Sequence, residues 1–259
     1  MRKFESKVAF VTGGTKGIGR ACVLEFAKNG AQVVFCGTSE KSAQETLDLC
    51  AAEGLNDIKF IKTNVSEADE VEKAVKYTVS TFGRLDYGLN VAGLCPSKPE
   101  ELAPIGDYSL DVWKKTIEVN LNGVFYSLKY ELKAMEECGN GGAIVNISSF
   151  AAFRHAPNIA AYTASKWAVV GLMRNAANEY GPKGIRVNTV APGSVDTTMV
   201  YPEGPEGDAI RESFKARSLM GRLTEPKEIA KMCAYICSDD CPTVTGTHIA
   251  VDQGATIGF

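Results

Sequence analysis

Short apolar runs alternate with longer helical patterns along this whole chain, and that order leaves few folds open. Strand-like runs fall at 8–12, 31–36, 58–63, 86–90, 143–148, 185–190 and 247–251, with helical stretches near 18–29, 40–53, 67–82, 109–137, 160–180 and 226–237. Strand, helix and strand in succession predict an α/β fold. Its sheet is parallel with helices on both faces, because parallel neighbours are joined by crossovers. Strands buried on both faces read as continuous apolar runs, and Val8-Ala9-Phe10-Val11 and Gln32-Val33-Val34-Phe35 largely do so. Helix punctuation agrees: Asn29-Gly30 is a stop signal, and Ser66 followed by Asp69 reads as an N-cap. The polar stretch from Gly193 to Arg222 carries Gly204, Pro205 and Gly207. It is too long for a plain connection and reads as a functional loop, with a lid near 194–215.

The 259 residues suffice for one large domain with a substantial core, or for two small ones. With 45% hydrophobic and 23% charged residues the composition is globular rather than disordered. A net charge of −3, without a basic run, gives no footprint for nucleic acid or an anionic membrane. No apolar stretch is long enough to span a bilayer, and Met1 to Lys7 lacks the apolar core of a signal peptide. The eight cysteines are scattered and read as small hydrophobes, reduced in a cytoplasmic protein. Cys233, Cys237 and Cys241 are spaced by four. Cys241 lies beyond the expected helix end, and His155 and His248 supply no partner cluster, so no metal site is expected.

Candidate chemistry begins where the first strand ends, in Thr12-Gly13-Gly14-Thr15-Lys16-Gly17-Ile18-Gly19. Glycines there permit a tight turn and close approach of backbone to a phosphate, at the positive end of the following helix. A glycine-rich turn alone is weak; its place between first strand and first helix strengthens it. The fourth strand runs into Asn90-Val91-Ala92-Gly93, whose small residues would pass close to a flat ring. Asn120 stands among apolar neighbours in the long helix, where it either bonds backbone or water or merely bends the helix. Pro192-Gly193 ends the sixth strand and leads to Thr197, which reads as an amide-meeting residue or a turn cap.

Tyr162 and Lys166 stand four apart on one predicted helix face, thirteen residues after Ser149. Lowering a phenol from about 10 to about 7 needs roughly 4 kcal/mol of preference for the phenolate. One cation at about 4 Å supplies roughly that much at an effective dielectric near 20. Such a tyrosine passes a proton to or from an alcohol or carbonyl oxygen. The same pair also arises as a solvated surface contact, and Ser149 alone as a strand-end serine. The remainder of the chain decides between these readings.

In this order and spacing the motifs resemble the short-chain dehydrogenase/reductase family. The resemblance rests on Thr-Gly-x-x-x-Gly-x-Gly at 12–19, Asn-x-Ala-Gly at 90–93, Asn120, Ser149, Tyr162 and Lys166, and the segment from Pro192 to Thr197. It covers about residue 5 to 254. It implies a seven-stranded, doubly wound, single Rossmann-type domain over 1–259, a nicotinamide cofactor, and a homo-oligomer, a tetramer ahead of a dimer. It implies Tyr162 as general acid/base and Lys166 as the residue that lowers its pKa and holds the nicotinamide ribose. Ser149 would position the substrate oxygen, and Asn120 would hold a water on a proton path. Cofactor contacts are implied at Gly13, Thr15, Lys16, Gly17, Ile18, Gly19, Thr38, Ser39, Asn64, Val65, Asn90, Ala92, Gly93, Tyr162, Lys166, Pro192, Gly193, Val195 and Thr197. Two residues depart from the family's pattern. Val91 replaces a common Asn, and Asn64 replaces an adenine-contacting Asp, although its amide oxygen could still accept from the adenine amino group.

These residues predict an oxidoreductase that interconverts a secondary alcohol and a ketone. A 3-oxoacyl thioester reductase, or a non-catalytic cofactor-binding regulatory protein, are the other readings. NADP(H) is favoured over NAD(H), because Gly37-Thr38-Ser39 places no carboxylate at the end of the second strand. Thr38, Ser39 and Lys16 would then hold a 2′-phosphate. Against this, no Arg stands there, and Glu40 is close enough to reach a ribose. The substrate pocket is expected at Leu94, Cys95, Ser149, Phe150, Phe153, Tyr162, Met199, Val200 and Tyr201, under the lid. That lining suits a bulky apolar molecule such as a hydroxysteroid, with Arg154 and His155 within reach of the mouth.

Overall fold

The computed structural model describes residues 3–199 and 204–257. Seven strands, β1 (Val8–Thr12), β2 (Gln32–Gly37), β3 (Ile58–Lys62), β4 (Tyr87–Asn90), β5 (Gly142–Ile147), β6 (Ile185–Pro192) and β7 (His248–Val251), form one sheet in the order β3-β2-β1-β4-β5-β6-β7. Every pairing is parallel. The strand order reverses between β1 and β4. In such sheets the crevice beyond the carboxyl ends at that reversal is where a ligand fits.

The helices are α1 (Gly17–Lys28), α2 (Glu40–Ala52), α3 (Ala68–Phe82), α4 (Leu110–Ile117), α5 (Gly123–Cys138), α6 (Ala160–Tyr180), α7 (Pro205–Arg217) and α8 (Pro226–Cys237). Alternation of side chains along each central strand feeds two apolar layers. Val11, Phe35, Leu89 and Val145 join Cys22, Phe26, Ile229 and Cys233 of α1 and α8. Phe10, Val34 and Ile144 face Val71, Leu128 and Met173 of α3, α5 and α6 on the other side. Phe4 anchors the N-terminal segment beneath the first layer, stacked 4.9 Å from Phe26. All eight cysteines are free thiols.

Three local features differ from the sequence expectation. The stretch 109–137 is not one helix, because a turn of π-helix at Glu118–Asn122 separates α4 from α5. Such a turn places an extra residue in the helix and re-aims a side chain, here Asn120. Ser66 does not cap α3: its hydroxyl donates to Asn64 Oδ1, and Glu67 holds the cap position without a side-chain bond. The asparagine two residues upstream captures the serine before the helix begins. Third, the 194–215 region contains α7, which its polar composition concealed.

Candidate active site

The glycine turn is fixed by steric demand. Gly13 has φ +68°, and a Cβ there would stand 2.8 Å from Ala92 Cα; one at Gly19 would stand 2.1 Å from the Gly13 carbonyl oxygen. β1, α1 and the β4 exit therefore meet at a distance only glycine allows. Lys16 holds the N-cap position of α1 without a capping side-chain bond, and no acidic residue lies in the first turn. The helix end thus presents amide groups and positive potential with no internal anion to answer them. This bare cradle fits the pyrophosphate of a dinucleotide.

At the β4 exit, Thr12 Oγ1 accepts from the amides of Val91 (3.1 Å) and Ala92 (3.2 Å). Asn120 clamps the next step. Its Oδ1 accepts from the Leu94 amide and its Nδ2 donates to the Leu94 carbonyl, each at 2.8 Å. A Cβ on Gly93 would lie 3.3 Å from Asn120 Oδ1 and 3.5 Å from Lys166 Nζ. Small residues are thus needed where this strand passes the reactive groups.

Tyr162 and Lys166 project from the first turns of α6, opposite Ser149 at the end of β5. Lys166 Nζ donates to the Ile147 carbonyl at 2.9 Å and lies 5.6 Å from the centre of the Tyr162 ring. Ser149 Oγ accepts from the Ala151 amide at 3.1 Å, which leaves its proton for another acceptor. Burial raises the Tyr162 phenol above its ordinary range, with the Ser149 hydrogen bond pulling the other way. Burial also lowers the Lys166 ammonium to about 8. The sequence argument for an acidified phenol assumed a cation at about 4 Å and no loss of water. Here loss of water dominates and holds the Tyr162 phenol above its ordinary value.

A cleft of about 680 Å³ runs from the glycine turn to these groups. Among its lining are the anticipated Gly13, Thr15, Lys16, Gly17, Ile18, Gly19, Thr38, Asn64, Val65, Ala92, Gly93, Pro192, Gly193, Val195 and Thr197, together with Tyr162 and Lys166. Leu94, Cys95, Ser149, Phe150 and Met199 line it too. Four anticipated residues do not. Asn90 is buried behind the wall, its Nδ2 donating to Glu131 Oε2 and Asn146 Oδ1. Ser39 caps α2, accepting from the Ser42 amide. Phe153 stacks on His248 with centroids 4.1 Å apart, at the edge strand rather than in the cleft. Asn120 acts through the Leu94 backbone.

Other side chains are engaged differently from the sequence reading. The Asn64 amide oxygen, expected to be available to an adenine, already accepts from the Ser66 amide and hydroxyl. Arg154 turns from the mouth and donates to the Ala255 carbonyl at 2.8 Å. Val200 and Tyr201 lie outside the described residues. Sequence reasoning missed Ala156, Ile159 and Phe214, all cleft-lining. Phe214 carried one signal, an aromatic in an otherwise polar stretch.

Comparison with known proteins accords with this architecture. The family model described as enoyl-(acyl carrier protein) reductase matches residues 13–256. The chain is 41% identical over 254 residues to the short chain dehydrogenase/reductase astE of Aspergillus oryzae, covering 98% of this chain and 96% of that one. It is 38% identical over 254 residues to a cyclohexanol dehydrogenase of Acinetobacter sp., with the same coverages. The crystal structure of levodione reductase superposes with a TM-score of 0.91 at 33% identity, covering 99% of this chain and 100% of that one. The chain belongs to the short-chain dehydrogenase/reductase family. It is an oxidoreductase acting on alcohol and ketone groups with a nicotinamide cofactor.

Proposed function

We propose that this enzyme interconverts a bulky, mainly apolar cyclic alcohol and its ketone, using NADP(H) in preference to NAD(H). The observation that carries the reading is the convergence of Tyr162, Ser149 and Lys166 at one end of a cleft whose opposite end is the bare glycine cradle. When bound, the nicotinamide gives or takes the hydride at the substrate carbon. Gly13, Gly17 and Gly19 with the α1 amides would hold its pyrophosphate, and Lys166 its nicotinamide ribose. The Ser149 hydroxyl orients the substrate oxygen. Tyr162 gives its phenolic proton to that oxygen in reduction and recovers it in oxidation. Asn120 holds the Leu94 segment in place. Segment 194–215 forms the lid, with Phe214 of α7 and Met199 as its apolar inner surface. Homo-oligomers and a reducing cytoplasmic setting suit the family resemblance and the eight free thiols.

The cofactor preference rests on the end of β2. Thr38 and Lys16 face the cleft there. The Glu40 carboxylate, the group that would favour a free ribose hydroxyl, pairs instead with Lys62 at 3.1 Å. We expect kcat/KM for NADPH to exceed that for NADH. The reverse order would show that Glu40 leaves Lys62 and reads the ribose.

Leu94, Phe150 and Met199 give the substrate end its apolar character. A competition series at fixed NADPH, with cyclic ketones, 3-oxoacyl thioesters and small polyols, tests this. Best turnover on the cyclic ketones is expected, in line with relatives named for cyclohexanol and levodione. The acyl thioester is the second reading, favoured by the description of the matching family model. Best turnover on a polyol would overturn both.

A further inference from the structure

Beyond β7, residues 252–257 fold into a tight turn instead of continuing the edge strand. Asp252 organises it. This nearly buried carboxylate accepts from the Gly254 amide at 3.0 Å, from the Thr256 amide at 2.7 Å, and from the Thr256 hydroxyl. Gln253 and Gly254 take left-handed backbone, at φ +56° and +78°. A non-glycine residue in that region is held there by its surroundings.

The turn touches the walls of the cleft on separate sides. A Cβ on Gly193 would stand 2.7 Å from Asp252 Cα, and the Gly193 amide donates to the Val251 carbonyl at 3.1 Å. The Ala255 carbonyl accepts from Arg154, which follows the short helical turn after Ser149. The Leu219 amide donates to the Gln253 carbonyl at 3.2 Å, and the Ser218 hydroxyl donates to the Gln253 side chain. Ser218 and Leu219 are the residues at which α7 ends, so they set where Phe214 sits. Among the described residues, no hydrogen bond from the turn reaches the glycine-rich segment 12–19.

We infer that Asp252 is a positioning residue for substrate: through the 252–257 turn it locks the Ser149 loop, the Gly193 loop and the base of α7 into one wall. The inference rests on the alcohol–ketone reading for its kinetic consequence, and on the hydrogen bonds alone for its structural one. Small displacements of groups that hold a substrate reduce its productive binding even when the chemical groups are intact. The turn governs the nicotinamide and substrate end of the cleft, and among the described residues its hydrogen bonds do not reach the pyrophosphate cradle.

The test compares wild type with Asp252→Asn, which leaves one acceptor oxygen for three donors and sets an NH2 group against the others, and with Arg154→Met. Arg154→Lys, which keeps a donor, is the conservative control. Cyclohexanone with NADPH is the kinetic probe, and NADPH affinity is read separately by fluorescence. We expect KM for cyclohexanone to rise about tenfold in both variants while kcat stays within about threefold and NADPH affinity falls by no more than about threefold, with Arg154→Lys recovering most of the loss. A fall in kcat at constant KM would be loss of folded enzyme and would overturn the inference, as would unchanged kinetics or NADPH binding weakened as much as that of cyclohexanone. Should Asp252→Asn not fold, the Arg154 pair decides by the same criteria. Hydrogen exchange separates the two claims. Faster exchange in Gly193 to Thr197 and Phe214 to Leu219 of the Arg154→Met protein is expected even if wild type reduces no cyclohexanone, an outcome that sinks only the functional reading. Unchanged exchange there sinks the positioning role.

Discussion

At the scale of single residues, the informative contrast is between Tyr162 and Lys166. Lys166 is buried and Tyr162 half-buried, and loss of water acts on them in opposite directions, keeping the phenol protonated and drawing the ammonium to about 8. A phenol that holds its proton can give it to a ketone oxygen, which is the role reduction requires. The pH profile follows from the sign. With saturating ketone and NADPH, the reduction rate should be flat from about pH 5 to about pH 7, because neither group changes charge there. It should fall on the alkaline side, where Lys166 discharges at about 8 and Tyr162 then loses its proton. Alcohol oxidation, which needs the phenolate, should rise over the same alkaline range. A reduction limb that falls between about pH 5 and about pH 7 would place the proton on a histidine or carboxylate instead.

At the scale of elements, α5 and the sheet meet through a buried acid. Glu131 points from α5 at the centre of β4, where a Cβ on Gly88 would stand 2.7 Å from its carboxyl carbon. That contact explains a glycine in a central strand, where it otherwise weakens packing. Asn90 is its hydrogen-bond donor, and burial raises the Glu131 carboxyl to about 8. The folded state therefore keeps a proton that the unfolded chain releases near its ordinary value of 4.5. Its contribution to stability is greatest at low pH, declines as pH rises above that value, and is fully lost above about 8. Thermal melts should show Glu131→Gln matching wild type near about pH 4 and melting progressively higher than wild type as pH rises to about 9. Equal melting points across that range would mean Glu131 is ionised and solvated. Nothing in the sequence distinguished this acid from the exposed ones on α5, because its burial arises from α5 packing against a strand more than forty residues away. The strands, by contrast, were legible to within a residue or two, since each is an apolar run set by its own burial. The same division holds in the site. Gly13 and Gly19 announce themselves by local steric need, and Ser39 by its place as a local N-cap, whereas Asn90 and Phe153 turned to Glu131 and His248 through tertiary neighbours the sequence does not display.

At the scale of the molecule, the parallel sheet brings together groups that are far apart in the chain. The reversal between β1 and β4 opens the crevice, α1 gives one end a bare positive terminus, and α6 brings Tyr162 and Lys166 to the other. No helix among the described residues is long and apolar enough to cross a membrane. On this reading Tyr162 is the proton donor of a ketone reductase whose pyrophosphate cradle lies at the other end of the same cleft. The direct measurement is single-turnover reduction of cyclohexanone by Tyr162→Phe protein already loaded with NADPH. Removing only the hydroxyl should leave NADPH affinity and melting temperature near wild type and lower the rate by about 10²- to 10⁴-fold. A variant that binds NADPH normally and keeps more than about a tenth of the wild-type rate would contradict the account.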